Sequence, residues 1–386
     1  MRARGSRDVT VSATLAAAVV LPMALLASSR PTPAPAPLAV TPVAATEAPA
    51  PCVPAPLDTR AGAVLMVGLP GVTSADDPAA IAVTDLGVSG IFLAASNVRT
   101  ADQVRELVGG LRARSPRPIV VTTDAESGRV SVLRSVVGDG PSPRRLARQD
   151  TPAQVQAFAT ELGTRLRDVG VDLDLAPVLD LDDGPSSGII GDRSFGSDPD
   201  TVVTYATAFQ AGLSAAGVTS AVKHFPGQGR SGADTHVRRA VVDTAVADLT
   251  AHDLVPFQRL IDAGAPVVMM NHLDYTDLGA DVPASLSPDA YALLRSMGFS
   301  GAAITDSLGM GAVNTRWDFP EAAVRAIVAG ADAAFATDGR QAQRMRAALV
   351  AAVRSGRLPE QRLNEAATRM ARLTKSDPAA LTCAPA

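Results

Sequence analysis

The chain has 386 residues, of which 47% are hydrophobic, and a formal net charge of -4. This length and apolar content can bury a large core. The slightly acidic balance, and the lack of a Lys/Arg cluster with interleaved aromatic residues, exclude nucleic acid as the expected partner. We therefore expect a globular protein that does not bind nucleic acid.

Residues 1–29 have the pattern of a targeting segment. Arg2, Arg4 and Arg7 precede an apolar run between residues 9 and 27, which is the order found in a secretory signal peptide. The run is also long enough for an uncleaved membrane anchor. Residues 30–55 follow as a Pro/Ala-rich linker that should be extended. We expect an exported protein, secreted or associated with the cell envelope, with a membrane tether as the alternative to cleavage.

The chain contains two cysteines, Cys52 at the end of the linker and Cys383 near the C-terminus. In an exported protein, an isolated pair that flanks the whole domain favours a disulfide joining its two ends. Two free thiols are the alternative. The Pro/Ala sequence before Cys52, and its distance from the apolar run, argue against a lipid attachment site.

From residue 60 onwards, short apolar runs of the β type alternate with helical patterns. Continuous apolar strands are expected when a parallel sheet is buried on both faces, and the intervening helices supply the crossovers. The eight predicted strands are 63–69, 90–94, 118–123, 173–181, 219–224, 266–272, 302–306 and 331–336.

The helix signals are independent of the strand pattern. Thr151, Pro152 and Gln154 form a helix start with a capping box, and Gly170 marks the end of that helix. Thr100 and Ser287 begin two more helices. Looser amphipathic patterns cover 200–213, 246–263, 320–329 and 340–355, and a last helix is predicted at 360–375.

Eight strands with intervening helices predict an α/β fold, a single (β/α)8 TIM-type barrel that covers residues 56–386. The active site of such a barrel lies at the carboxyl ends of its strands. A doubly wound open sheet is the alternative. No second domain is predicted, and we expect a monomer.

Ionisable residues follow five consecutive predicted strands. Each one alone fits a cap or a turn, but together they predict a ligand site at one end of the barrel. Histidines and carboxylates could also hold zinc or manganese. No His-x-His or His-Glu-x-x-His motif is present, so we expect neither a metal nor another cofactor. The residues are Asp124, Glu126, Asp174, Asp180, Asp182, Lys223, His224, His272, Asp274 and Asp306.

Residues 223–236, KHFPGQGRSGADTH, form the most polar of these strand ends. Their glycines and Pro226 predict a long loop, which is the kind of segment that carries chemistry more often than packing. The loop contains a G-x-G-x-x-G pattern at Gly227, Gly229 and Gly232. Because Pro226 precedes these glycines and no helix start follows them, a dinucleotide site is not expected.

Several motifs together resemble family-3 glycoside hydrolases, and in particular their single-barrel bacterial β-N-acetylhexosaminidases. The motifs occur in the order of that family and spread over most of residues 60–375. They are DAESGRV at 124–130, LAPVLDL at 175–181, GDRSFGSDP at 191–199, KHFPGQG at 223–229, the Asp-x-His pair at 234–236, PASLSP at 283–288 and ITDSLGM at 304–310.

The resemblance implies a role for each matching residue. Asp306 corresponds to the catalytic nucleophile, His236 to the acid/base and Asp234 to the aspartate that orients it. His272 matches a family histidine to which we assign no role. The residues that correspond to those holding the sugar hydroxyls and the acetamido group are Asp124, Arg193, Lys223 and His224.

These roles agree with the chemistry of retaining glycoside hydrolysis, which needs a nucleophile and a proton donor on opposite sides of the anomeric carbon. An imidazole has an ordinary pKa of about 6.5, which suits both donation and recapture of a proton. Lys223 should help to keep Asp306 ionised. A glycine-containing loop implies that His236 moves in after the sugar binds.

The sequence departs from the family pattern at four positions: Gln228 and Arg230 replace a histidine and an acidic residue, Ser127 replaces a glycine, and Val132 replaces an arginine found in related enzymes. The resemblance therefore predicts an exported, cofactor-free retaining exo-β-N-acetylglucosaminidase that acts on amino-sugar glycosides such as peptidoglycan fragments. Phosphorolysis, a broader β-glycosidase specificity and a catalytically weakened sugar-binding barrel are the alternatives.

Overall fold

The computed structural model describes residues 52–279 and 281–384, and each of the eight predicted runs contains a strand. These strands form one parallel sheet in which neighbours follow chain order. We label them β1 to β8, with the bounds Leu65–Gly68, Gly90–Phe92, Val120–Thr123, Leu173–Asp174, Thr219–Phe225, Val267–Met270, Ala302–Thr305 and Ala334–Ala336.

The sheet closes into a barrel. Strand β8 pairs with β1, with Leu65 opposite Ala334. On the other side of β8, Ile304 of β7 forms a parallel bridge with Ala333, and the amide of Leu308 donates to the carbonyl of Phe335 at 2.9 Å. The predicted (β/α)8 barrel is therefore confirmed, and the doubly wound open sheet is excluded because such a sheet has two free edges.

Side chains alternate between the inside and the outside of the barrel, as the two-residue period of a strand requires. An inner cluster is separate from the larger cluster that lies between the strands and the helices. Met370, which comes from the last long helix, joins the inner cluster. The inner cluster consists of Met66, Phe92, Val120, Leu173, Leu175, Ala221, Val267, Met269, Ala302, Ile304, Ala333, Phe335 and Met370.

The predicted helices are present, and their starts agree with the sequence signals. The hydroxyl of Thr151 accepts from the amide of Gln154, whose side chain accepts from the Thr151 amide. The helix bounds are Leu57–Gly62, Pro78–Asp85, Ala101–Arg114, Arg134–Val137, Pro143–Gln149, Pro152–Asp168, Pro199–Ala215, Val246–Ala251, Val255–Asp262, Pro288–Ser296, Gly311–Asn314, Phe319–Ala329, Ala342–Arg354, Glu360–Leu373 and Pro378–Thr382.

Two of the differences between the predicted and the observed element bounds lie at prolines. The predicted helix 246–263 is two helices, with Pro256 in the first turn of the second, because proline fits the first turn of a helix but not its interior. Strand β4 ends at Asp174 rather than 181. Pro177 lacks the amide that a ladder needs, so the rest of this segment contacts β5 through a single bridge between Val178 and Lys223.

The predicted disulfide is confirmed: Cys52 and Cys383 are bonded, with their Cα atoms 5.8 Å apart. The amide of Ala55 also donates to the carbonyl of Leu381 at 3.1 Å, so the two ends of the domain are fastened side by side. Residues 1–29 and most of the linker, residues 30–51, lie outside the described residues, and their assignment stays a prediction. Within the described part of the chain, no helix is long and apolar enough to cross a membrane.

Candidate active site

A single cavity of about 290 Å³ contains all seven residues that the sequence assigns to the catalytic and sugar-binding site. It lies where the loops leave the carboxyl ends of the strands, which is the functional end of a (β/α)8 barrel. Apolar side chains of Leu175, Met269 and Phe335 lie beneath the polar groups, at the top of the inner cluster. The seven residues are Asp124, Arg193, Lys223, His224, Asp234, His236 and Asp306.

Lys223, near the carboxyl end of β5, is the central cation of the cavity. Its side chain is only 2% exposed, and its Nζ lies 2.6 Å from Asp124 Oδ1 and 2.6 Å from Glu126 Oε1. Burial alone would lower the pKa of Lys223, but these two carboxylates outweigh it and hold the pKa above its ordinary value. Lys223 is therefore a permanently charged group that fixes Asp124 at the edge of the cavity.

Glu126 joins Lys223 to Arg193. The guanidinium of Arg193 donates to both Glu126 oxygens at 2.7 Å, in the two-point geometry that suits arginine and carboxylate. Burial by itself raises the pKa of Glu126, but Arg193 and Lys223 together hold it well below its ordinary value. Arg129, which donates to Asp192 Oδ1 at 2.9 Å, ties the Glu126 segment to the loop that carries Arg193.

His224 is held by Asp180. The two side chains meet at 2.6 Å between His224 Nδ1 and Asp180 Oδ2, while Asp180 Oδ1 accepts from the amide of Gln228 at 2.7 Å. A carboxylate can only accept, so Nδ1 carries a proton. The other ring nitrogen, Nε2, lies 3.2 Å from Arg193 Nη2, which can only donate. The neutral Nδ1–H tautomer satisfies both contacts.

Asp306 follows β7 directly, and its Oδ1 accepts from the amide of Ser307 at 2.6 Å. Burial by itself raises the pKa of Asp306, but the hydrogen bond from the Ser307 amide and the charge of Lys223 help to hold it below the ordinary value. Lys223 therefore contributes as predicted, although its direct partners are other carboxylates. Asp306 is an ionised carboxylate on a rigid strand end.

His272, to which the sequence assigned no role, is completely buried beside Asp306. Its Nε2 donates to the carbonyl of Ser307 at 2.9 Å, and its Nδ1 lies 2.6 Å from Ser285 Oγ. Burial lowers the pKa of His272, so the ring is neutral and Nδ1 accepts from the Ser285 hydroxyl. This histidine holds the main chain that positions Asp306.

His236 and Asp234 line the cavity from the loop that follows β5 and are much more exposed than the strand-end residues. Their side chains are 69% and 41% exposed, and His236 Nδ1 lies 2.8 Å from Asp234 Oδ1. Burial by itself raises the pKa of Asp234, but the contacts with His236 outweigh this effect and lower the pKa below its ordinary value. The carboxylate fixes a proton on Nδ1 and leaves Nε2 available for proton transfer.

The four residues that depart from the family pattern each have defined contacts in the structure. Arg230 pairs with Asp253 at 2.6 Å, and Gln228 is buried against Thr235. Ser127 has φ +74°, a conformation that glycine adopts freely and other residues do not, and its hydroxyl donates to Pro141 O at 2.5 Å. Val132 packs against the apolar core.

Two residues that hold the cavity's side chains were recognised in the sequence only as strand-end carboxylates. Glu126 is the shared partner of Lys223 and Arg193, and Asp180 holds His224. Both lie inside motifs of the resemblance, DAESGRV and LAPVLDL, so the sequence could have placed them at the site. Their partners could not be predicted, because the residues in contact are separated by 44 to 97 positions.

The sequence matches the family described as "Glycosyl hydrolase family 3 N terminal domain" over residues 57–373. It is also 39% identical, over 318 residues, to "Beta-hexosaminidase LpqI" of Mycobacterium tuberculosis, a match that covers 80% of this chain and 81% of that protein. A "Beta-hexosaminidase" of Stenotrophomonas maltophilia is 35% identical over 253 residues, or 64% of this chain and 75% of that protein.

Solved structures agree with these matches. A family-3 glycosyl hydrolase from Mycobacterium smegmatis superposes with a TM-score of 0.76 at 37% identity and covers 83% of this chain and 97% of that one. A family-3 β-N-acetylglucosaminidase from Paenibacillus gives a TM-score of 0.78 at 30% identity, over 86% of this chain and 64% of that one. The resemblance seen in the sequence is confirmed: this chain belongs to glycosyl hydrolase family 3 and is a glycoside hydrolase.

Proposed function

We propose that the protein is an exported retaining exo-β-N-acetylglucosaminidase that removes terminal amino sugars from β-glycosides such as peptidoglycan fragments. The observation that carries this proposal is the cavity itself. Asp306 and His236 line the same space as the four residues proposed to bind the sugar, which are Asp124, Arg193, Lys223 and His224. Relatives named β-hexosaminidase match most of the chain.

In the proposed reaction, Asp306 attacks the anomeric carbon while the protonated Nε2 of His236 delivers its proton to the departing glycosidic oxygen. The C–O bond of the leaving group breaks as the Asp306–sugar ester forms. Neutral His236 then takes a proton from water, which attacks the anomeric carbon and releases Asp306. Two inversions at one carbon retain the β configuration.

The buried cluster fits the binding of a sugar. Asp124 and Arg193 line the cavity. Lys223 pairs with Asp124, and Glu126 pairs with Arg193, so both side chains are fixed in place. Groups held in this way lose little entropy when a sugar hydroxyl replaces water, so binding energy is available to position the anomeric carbon. The proposed role of these residues, with His224, is to hold the hydroxyls and the acetamido group.

Export is supported by two features. The pattern of residues 1–29 is that of a signal peptide, and the disulfide between Cys52 and Cys383 is of a kind that persists in oxidising compartments. Amino-sugar glycosides of the cell wall are the substrates that such an enzyme meets outside the cell membrane.

The specificity is tested by the release of nitrophenol from matched aryl β-glycosides. We expect kcat/KM for the N-acetylglucosaminide to exceed that for the glucoside by at least about 100-fold, because a site built for the acetamido group leaves polar atoms unpaired when it is absent. A preference for the glucoside or the xyloside would contradict the proposal. Binding of N-acetylglucosamine without turnover of any aryl glycoside would instead identify a sugar-binding barrel.

The mechanism is tested by mass spectrometry after reaction with a ring-fluorinated N-acetylglucosaminyl fluoride, which slows hydrolysis of the covalent intermediate. We expect one sugar attached to Asp306. Attachment at another residue, or none in an active enzyme, would exclude this nucleophile. Parallel assays with and without phosphate, in which formation of the sugar 1-phosphate is monitored, separate hydrolysis from phosphorolysis.

A further inference from the structure

Asp274 is a buried carboxylate that does not line the cavity but lies between two segments that do. It follows β6 in a short strand, Asp274–Tyr275, which pairs in parallel with Val241–Val242. Its side chain is only 2% exposed, and its Oδ1 has no hydrogen-bond partner among the described residues. A buried charge of this kind is costly unless it is paired.

Two arginines from different segments share the other oxygen. Arg239 Nε lies 2.5 Å from Asp274 Oδ2, and Arg316 Nη1 lies 3.1 Å from the same atom. The Arg316 guanidinium also lies over the ring of Trp317, 4.2 Å from its centroid, a contact that restricts its position. One carboxylate therefore joins two cations that the chain sequence places 77 positions apart.

Arg239 belongs to the segment that carries the Asp234–His236 pair. The amides of Val237 and Arg238 both donate to the carbonyl of Asp234 at 3.1 Å, which closes a turn between the pair and Arg239. The amide of Asp274 in turn donates to the carbonyl of Ala240 at 2.9 Å. The main chain and the side chain of Asp274 thus both hold the end of this segment.

Arg316 belongs to the segment that follows Asp306. Within that segment, the amide of Gly311 donates to the carbonyl of His236 at 2.9 Å. A side chain at Gly311 would come within 2.3 Å of the carbonyl of Val237, so the two segments are in close main-chain contact there. Asp274 fastens the same two segments to each other a second time, through its two arginines.

We propose that Asp274 is a positioning residue for the acid/base: its carboxylate, through Arg239 and Arg316, fixes the His236 segment against the segment that follows the nucleophile. This inference rests on the proposed role of His236. Without the charge of Asp274, the two arginines repel each other, and the histidine segment is held by main-chain hydrogen bonds such as the one that Gly311 donates to His236. The fold persists, but His236 is aligned with the glycosidic oxygen for a smaller fraction of the time.

The test compares two aryl N-acetylglucosaminides in the Asp274→Asn variant. Departure of dinitrophenolate needs no proton, whereas departure of methylphenolate does, and kcat/KM reports the steps from substrate binding up to and including the departure of the leaving group. We expect kcat/KM to fall about 10–100-fold for the methylphenyl substrate and less than about 3-fold for the dinitrophenyl substrate. A purely structural role would lower both values equally, and that result would overturn the inference.

Three further variants make the result decisive. Arg239→Gln removes the loop-side arginine of the clamp formed by Arg239, Asp274 and Arg316. Because Arg239 is half-exposed, this variant can replace Asp274→Asn if the latter does not fold, and it should show the same selective loss. Asp281→Asn is the matched control, since Asp281 pairs with the same arginine at 2.8 Å but is 79% exposed, and it should change neither value appreciably.

The fourth variant, His236→Gln, separates the inference from the function on which it rests. If His236→Gln shows no dependence on the leaving group, the proposed acid role of His236 fails and the inference fails with it. If His236→Gln is selective but Asp274→Asn and Arg239→Gln are not, the inference about Asp274 alone is wrong.

Discussion

The two sides of the cavity are built differently. On the strand-end side, Lys223, Glu126 and Arg193 form a chain of buried ion pairs at 2.6–2.7 Å. On the loop side, His236 and Asp234 pair with each other at 2.8 Å but remain largely exposed. The first arrangement is held by buried ion pairs. The second is held by a few main-chain hydrogen bonds and by the ion pairs of Asp274 with Arg239 and Arg316.

Under the proposed function, this difference separates the requirements of binding from those of proton transfer. A sugar is recognised best by groups that are already in place, because fixed groups cost little further entropy on binding. An acid/base has to gain and lose a proton in one cycle, and solvent access on the loop side allows exchange with water. Substitutions on the strand-end side should therefore mainly lower the stability of the protein, and substitutions on the loop side should mainly lower its turnover.

The largest effect on turnover is expected from His236→Gln. We expect kcat/KM for an aryl substrate with a poor leaving group to fall about 10²–10⁴-fold, the usual contribution of general acid catalysis. The free energy of unfolding should change by less than about 0.5 kcal/mol, because the side chain is exposed. Kinetics and denaturant unfolding on one preparation measure both. A large loss of stability would break the distinction between the two sides.

The largest effect on stability is expected from Glu126→Gln. The change leaves the buried Arg193 without a charged partner and weakens the pairing of Lys223, which should cost about 3–5 kcal/mol of unfolding free energy. Glu321→Gln is the matched control, since Glu321 also pairs with two cations, Arg325 and Arg357, but at the surface. It should cost about 1 kcal/mol or less. Equal losses in the two variants would refute the special position of the buried cluster.

A smaller effect, with a defined pH dependence, is expected from Asp174→Asn. Burial raises the pKa of Asp174 from 3.8 to about 7, and its Oδ2 has no partner among the described residues. The folded protein therefore holds a proton that the unfolded chain releases, and wild-type stability from this group is lost as the pH rises from 3.8 through about 7.

The asparagine variant lacks this titration. Its stability relative to the wild type should therefore increase by about 2–4 kcal/mol between pH 4.5 and pH 8. Thermal or denaturant unfolding of both proteins at the two pH values measures the difference. A constant difference across this range would show that Asp174 does not hold a proton in the folded state.

The smallest effect is expected from Ser127→Gly, which restores the residue of the family pattern. Glycine relieves the strain of φ +74° but loses the hydrogen bond to Pro141, so the net change should stay within about 1 kcal/mol. Ser127→Ala keeps the strain and loses the bond, so it should be less stable than the glycine variant by about 1 kcal/mol. The reverse order of the two variants in thermal unfolding would contradict this account.

Much of the fold could be predicted because its signals are local. Each of the eight strands is a short apolar run, and helix starts such as Thr151 with Gln154 are fixed by neighbouring residues. Two predicted elements were too long because of Pro177 and Pro256, where the apolar pattern continues but the regular backbone cannot. The disulfide was predictable since only two cysteines exist.

The sequence by itself determined which residue types stand at the strand ends, and through the motifs it assigned roles to Asp306, His236 and the sugar-binding residues. Only the tertiary structure decided the pairing: that Glu126 joins Lys223 to Arg193, that His272 holds the main chain beside Asp306, and that Asp274 fastens two segments. The physical reason is that propensity and periodicity act over a few residues, whereas an ion pair depends on which distant segments the closed barrel brings within about 3 Å.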